Sequence, residues 1–221
     1  MTTFALIGAG PGLGLAAARR FAGAGHAVAL LSRHAGRLAT LVAELSSGAA
    51  EVRAFTADVL DAESLRTALR DAADALGPVE ILQYSPAPRA DFMRTVLDTG
   101  ADDLDAPLSF SVKGPVTAVD AVLPGMRELG GGTVLFVNGA SAVRPNPKVA
   151  GTSVAYAAQS AYARMLHDVL APENVHVAQL IVPGAIRPGA GPSSPGALAD
   201  VLYDMHRRRD GFRRFAEPLP D

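Results

Sequence analysis

Phe4-Ala5-Leu6-Ile7-Gly8-Ala9-Gly10-Pro11-Gly12-Leu13-Gly14 decides the fold. Four apolar residues read as a buried strand. A glycine turn follows, and the apolar spacing of residues 15–24 opens a helix. Strand, glycine turn and helix in that order make a phosphate site. Small residues let the backbone approach a pyrophosphate, and the helix N-terminus offers free N–H groups and a positive dipole end. The candidate contacts are Gly8, Gly10, Pro11, Gly12, Leu13 and Gly14.

Moving outward, short apolar runs alternate with helical patterns. Strands are expected at 4–7, 27–31, 52–55, 79–84, 133–137 and 175–182. Helices are expected at 15–24, 36–45, 62–76, 109–129, 153–170 and 197–209. The 153–170 helix shows an apolar stripe of Val154, Ala158, Ala161, Tyr162, Met165 and Val169, which leaves Tyr156 on the opposite face. Alternation at this spacing means βαβ units and a parallel sheet covered on both faces. The expected fold class is α/β: one Rossmann-type, doubly wound parallel sheet of about six or seven strands, with helices on both faces. A single domain spanning 1–221 is expected, with a substrate loop region at about 183–209.

Composition narrows the function classes. Net charge is −2, which gives no electrostatic case for nucleic acid or an anionic membrane as partner. The chain has no cysteine, so disulfides and thiolate catalysis are excluded. Met1-Thr2-Thr3 lacks the basic start of a signal peptide, and no apolar stretch approaches the ~20 residues that span a bilayer. A cytoplasmic location is therefore expected. The five histidines show no metal spacing. Arg207-Arg208-Arg209 with Arg213-Arg214 reads as a solvated helix end or an interface.

The end of the second strand selects the cofactor. A dinucleotide fold that prefers NAD places Asp or Glu there, on the ribose hydroxyls. This chain has Leu31-Ser32-Arg33 instead. Arg33 can pair with a 2′-phosphate and Ser32 can donate to it, so NADP(H) is expected in preference to NAD(H).

The glycine spacing is G-x-x-x-G-x-G, set by Gly8, Gly12 and Gly14. That pattern resembles the short-chain dehydrogenase/reductase family, and the resemblance runs along residues 3–190. It implies an adenine-contacting pair at Asp58-Val59 and a strand-end contact near Ser85. It implies a turn at Val182-Pro183-Gly184-Ala185-Ile186 that meets the nicotinamide carboxamide, through Pro183, Gly184 and Ile186. It also implies Tyr156 as general acid/base and Ser141 as the hydroxyl that polarises the substrate oxygen.

Three positions depart from the family pattern. Ser160 stands where the tyrosine motif carries a lysine. Ser111 stands at the position of a helix asparagine. Gln83-Tyr84-Ser85-Pro86 replaces an Asn-Asn-Ala-Gly-like turn. The first matters most, because a cation near a tyrosine stabilises its phenolate and serine carries none. Lys113 and Lys148 are the only lysines that could substitute. Ser111 and Ser160 are expected as polar groups of second rank. The segment after Gly189 is short for the family, and 212–215 is the candidate for a seventh strand.

The resemblance implies hydride transfer between NADP(H) and a small carbonyl, alcohol or imine. Two alternatives follow from the missing lysine. One is a non-redox enzyme on the same scaffold, such as a cyclase, isomerase or dehydratase. The other is a non-enzymatic NADP(H)-binding sensor. The family also implies a homodimer or homotetramer packed through the 109–129 and 153–170 helices.

Overall fold

The computed structural model describes residues 2–219. Strands β1 (Thr3–Ile7), β2 (Ala27–Ser32), β3 (Val52–Thr56), β4 (Val79–Tyr84), β5 (Gly132–Gly139), β6 (Val175–Val182) and β7 (Arg213–Phe215) form one sheet. Its order is β3-β2-β1-β4-β5-β6-β7, and every pair is parallel. The helices are α1 (Leu13–Ala22), α2 (Ala35–Leu45), α3 (Ala62–Leu76), α4 (Asp105–Leu108), α5 (Gly114–Glu128), α6 (Ala150–Leu170) and α7 (Pro195–Arg208). The expected doubly wound α/β architecture is therefore present.

Period-two alternation divides each strand between two cores. Ala5 and Ile7 of β1 pack with Leu65 and Leu69 of α3 and Val122 and Met126 of α5. Phe4 and Leu6 face the other way, onto Phe21 of α1, Leu38 of α2 and Leu198 and Leu202 of α7. Strand order reverses between the neighbours β1 and β4. Their carboxyl ends therefore open a crevice, the usual ligand position in such sheets.

Local chemistry fixes the helix starts. Asp61 caps α3, its Oδ1 accepting from the N–H groups of Glu63 at 3.0 Å and Ser64 at 3.1 Å. Leu65, Leu69, Ala72 and Leu76 then carry its buried stripe. Leu65 is fully buried, so its truncation to alanine should cost about 2–5 kcal/mol.

Three expectations need correction. The helix expected over 109–129 is broken: α4 ends at Leu108, Ser109–Lys113 form a π turn, and α5 starts at Gly114. Pro115 has no N–H to give the Ser111 carbonyl, so regular α hydrogen bonding fails there. The Gly114 N–H reaches Ser109 O instead. That leaves Phe110 O free to accept from Tyr84 Oη, in a buried hydrogen bond. A side chain at Gly114 would strike that tyrosine hydroxyl, so glycine is required there.

The apolar stripe of α6 is not the face that meets the sheet. Val154, Met165 and Val169 are 46%, 60% and 68% exposed. The buried face is small or polar and includes Ala155, Tyr156, Gln159, Ser160 and Ala163. Helical periodicity locates an apolar face but does not say what covers it.

The region 183–209 is a loop only in its first part. From Pro195 it is α7, whose Leu198, Ala199, Leu202 and Met205 belong to the core shared with α1. Ser194 caps this helix by accepting from the Ala197 N–H. β7 exists but is three residues long, pairing Arg213, Arg214 and Phe215 with Gln179, Leu180 and Ile181 of β6. Most of the basic run is solvated as expected: Arg207, Arg208 and Arg213 are exposed, although Arg213 also bonds inward, and Arg214 pairs with Asp204 and Asp210.

Candidate active site

The crevice between β1 and β4 opens into a cavity of about 570 Å³ along the carboxyl ends of the strands. One end holds the glycine turn together with Ser32, Arg33, His34 and Arg37. The other end holds Asn138, Ser141, Thr152, Tyr156, Gly184 and Ile186.

Gly8 makes the turn possible. Its φ of +93° lies in the left-handed region, and a Cβ there would sit 2.5 Å from the Pro86 backbone. β1 can therefore turn into α1 against the end of β4. α1 starts after Gly12 with no side-chain cap and no acidic residue in its first turn. Its first N–H groups and the positive end of its dipole are thus left for an anion. At the end of β2, the ion pairs of the described residues leave out both Arg33 and Arg37. Two guanidinium groups without carboxylate partners on one cavity wall fit a phosphate group.

The structure distributes the expected residues unevenly. All six glycine-turn candidates line the cavity, as do Ser32, Arg33, Val59, Ser85, Gly184, Ile186, Ser141 and Tyr156. Asp58 does not. Its Oδ1 accepts from the Leu60 N–H at 3.0 Å and its own N–H donates to Ser64 Oγ at 3.3 Å, which ties it into the turn before α3. Pro183 is also off the wall. Ser111 is buried in the π turn and lines no part of the cavity. Ser160 is buried too, and its hydroxyl points into a polar cluster between α6 and the sheet. It is not placed to reach a ribose across the cavity wall.

Tyr156 is 7% exposed, and burial pushes its phenol up to about 12. Among the described residues no cation offsets that burial. Tyr84 is raised well above the usual tyrosine range by burial, then by Tyr156 and Asp58. Both phenols are therefore neutral over the ordinary pH range. A neutral buried phenol facing a cavity is a proton donor, and Ser141 is a second hydroxyl lining the same cavity.

Sequence reading missed His34, Arg37, Phe110, Asn138 and Thr152, all of which line the cavity. Arg37 had a findable signal. It stands four positions after Arg33, in the first turn of α2. Thr152 lies one turn before Tyr156, and its buried hydroxyl oxygen has no hydrogen-bond partner. Among the described residues no helix is long and apolar enough to cross a membrane, and no group of acidic or histidine side chains could hold a metal ion.

Comparison with known proteins agrees with this geometry. The family model for short chain dehydrogenases matches residues 2–194. Human dehydrogenase/reductase SDR family member 4 is 31% identical over 176 residues, covering 80% of this chain and 63% of that protein. Sulfoacetaldehyde reductase 2 of Chromohalobacter salexigens is 34% identical over 162 residues, covering 71% of this chain and 63% of that protein. The chain thus spans less than two thirds of the length of these curated relatives.

Among solved structures, L-sorbose reductase from Gluconobacter frateurii, complexed with NADPH and L-sorbose, superposes with a TM-score of 0.86. It is 20% identical and covers 97% of this chain and 94% of that one. An NADPH-bound short chain oxidoreductase from Pseudomonas aeruginosa PAO1, containing an atypical catalytic center, superposes with a TM-score of 0.87. It is also 20% identical, with coverage of 100% and 97%. These structural likenesses carry the fold. The sheet order, the glycine turn and the extent of the family match together place this chain in the short-chain dehydrogenase/reductase family.

Proposed function

We propose that the chain is an NADP(H)-dependent oxidoreductase that works as a carbonyl or imine reductase on a small substrate. The observation that carries this reading is the cavity itself. It joins an anion-ready helix terminus and two unpaired arginines to a neutral Tyr156 and Ser141. The glycine turn would hold the pyrophosphate, and Ser32, Arg33 and Arg37 would hold a 2′-phosphate. Gly184 and Ile186 would meet the nicotinamide end.

The cofactor, when bound, supplies hydride to the substrate carbon. Ser141 donates a hydrogen bond that orients the substrate oxygen. Tyr156 Oη delivers the proton to that oxygen as the carbon is reduced. A phenol pushed up to about 12 holds its proton firmly at neutral pH. This favours reduction, where Tyr156 acts as an acid, over alcohol oxidation, where it would have to be a base.

The exposed apolar stripe of α6 supports assembly. Val154, Met165 and Val169 lie on one surface that a second copy would cover. We read the protein as a homodimer or homotetramer on that basis.

The direct test is NADPH consumption at 340 nm with a panel of small aldehydes, ketones and imines. Stoichiometric consumption that Tyr156→Phe reduces by about 10²-fold or more supports the reading. Turnover that needs no NADPH would replace it with a non-redox reaction on the same scaffold.

A further inference from the structure

A chain of polar side chains, buried except for Arg213 at its outer end, runs between α6 and the sheet behind the cavity. Arg213 of β7 donates from Nε to Gln179 Oε1 at 2.9 Å and from Nη2 to Ser160 Oγ at 2.6 Å. Ser160 Oγ donates in turn to Gln179 Oε1 at 3.0 Å. Gln179 Nε2 donates to Asn138 Oδ1 at 2.8 Å, and Asn138 Nδ2 donates to Gln159 Oε1. Gln179, Asn138, Gln159 and Ser160 are all at least nine-tenths buried. Asn138 is the member that lines the cavity, three residues before Ser141.

The chemistry of the first member fixes the rest. A guanidinium has five donors and no acceptor. It can face only the oxygen of Gln179, so the nitrogen of Gln179 must face Asn138. The oxygen of Asn138 is then the acceptor, and its nitrogen must go to Gln159. With a neutral, non-donating residue at 213, the reversed chain would be equally well bonded. Gln159 would donate to Asn138, Asn138 to Gln179, and Gln179 to Ser160. Arg213 removes that alternative. It has no carboxylate partner among the described residues, whereas its neighbour Arg214 has two. Its head is exposed on one side, so it acts on the buried amides through its two hydrogen bonds, to Gln179 Oε1 and Ser160 Oγ.

We infer that Arg213 is a positioning residue that sets, through Ser160 and Gln179, the orientation of the Asn138 amide on the cavity wall. It stands one layer behind the cavity, bonded to the serine found where the family's tyrosine motif carries a lysine. This rests on the reading above that the cavity takes NADP(H). Reversal of Asn138 would exchange the positions of its donor and its acceptor in the cavity wall that also carries Ser141 and Tyr156.

Gln179→Glu tests this, because it separates stability from orientation. A carboxylate at 179 keeps and strengthens the contact with Arg213. It can only accept, so Asn138 must turn its nitrogen toward it. The probes are NADPH affinity by nucleotide fluorescence, thermal unfolding, and the side-chain amide resonances of Asn138 assigned by NMR. The expected result is a Tm at or above that of the unmodified protein, shifted Asn138 resonances, and NADPH affinity weakened at least tenfold. Arg213→Met should weaken NADPH similarly, and Arg213→Lys, which keeps the charge, should recover most of the loss. Unchanged affinity together with unchanged Asn138 resonances in Gln179→Glu would overturn the inference. If the unmodified protein binds no NADPH, the functional reading fails. The Asn138 resonances then decide alone: shifted, the orientation control stands; unshifted, it falls.

Discussion

Arg213 Nη2 stands 2.6 Å from Ser160 Oγ, although the two residues lie on different elements, at the sheet edge and in α6. The contact turns the Ser160 hydroxyl away from the cavity and toward Gln179. Tyr156, one helical turn earlier, has its phenol raised by burial, with no cation among the described residues to offset it.

A pH dependence follows for Tyr156. Its phenol is raised from the ordinary 10 to about 12, so the protonated form persists as pH rises. The acid needed for reduction is fully present at pH 7 and is lost only near pH 12. Carbonyl reduction should therefore show no alkaline limb from Tyr156 between pH 7 and 10. A profile of NADPH oxidation that falls with an apparent pKa near 8, and loses that limb in Tyr156→Phe, would show a cation acting on this phenol.

The buried histidines predict acid sensitivity. Burial is the largest cause that lowers His176 and His206 to about 4; lesser charges include His167 for the first, and His26 opposed by Glu80 for the second. The unfolded chain binds these protons near pH 6.5, while the folded chain resists until about pH 4. Nothing is lost above pH 6.5, and stability falls as pH drops from there toward 4. Each histidine contributes at most about 3 kcal/mol to that loss. The Nε2 of His176 has no partner in the fold, so His176→Leu leaves no acceptor stranded. Urea midpoints measured from pH 7 to 4.5 should fall less steeply in that variant. Parallel slopes would remove His176 from the account.

Tyr84→Phe probes the π turn. Tyr84 Oη donates to the carbonyl of Phe110, which the π turn leaves free. Removing the hydroxyl strands a buried carbonyl and should cost about 1–3 kcal/mol. Phe110 lines the cavity, so NADPH affinity should weaken in the same variant. Chemical denaturation and a nucleotide titration measure the two effects separately, and a change below 0.5 kcal/mol would show the carbonyl finding another donor (about the spread of neutral surface substitutions).

The α6 stripe predicts assembly. Met165→Lys with Val169→Lys places two charges on the exposed apolar face and should convert a homo-oligomer to monomers. Sedimentation velocity checks this directly. An unmodified protein that is monomeric at micromolar concentration would remove the assembly proposal.

Most of the architecture was legible because β1, β2, β4, β5 and β6 are short, largely apolar runs separated by helical patterns. The glycine turn was legible because its requirement is local: Gly8 must take a positive φ against Pro86. Two kinds of feature were not. The orientation of α6 depends on what covers it, and a stripe of Val154, Met165 and Val169 looks the same whether a sheet or solvent meets it. The contact between Ser160 and Arg213 joins positions 53 apart through a three-residue strand, and no local pattern announces it. Asp58 shows the same limit: a carboxylate after a strand can serve a ligand or its own turn, and the bonds it makes here are those of the turn.

The central claim is an NADP(H) site built on the glycine turn and Arg33. It is tested most directly by titrating the protein with NADPH and NADH, following nucleotide fluorescence, and repeating with Arg33→Ala. The account predicts NADPH bound at least tenfold more tightly than NADH, with Arg33→Ala abolishing the difference and leaving NADH affinity in place. Equal affinity for the two nucleotides, or no binding of either, would contradict it.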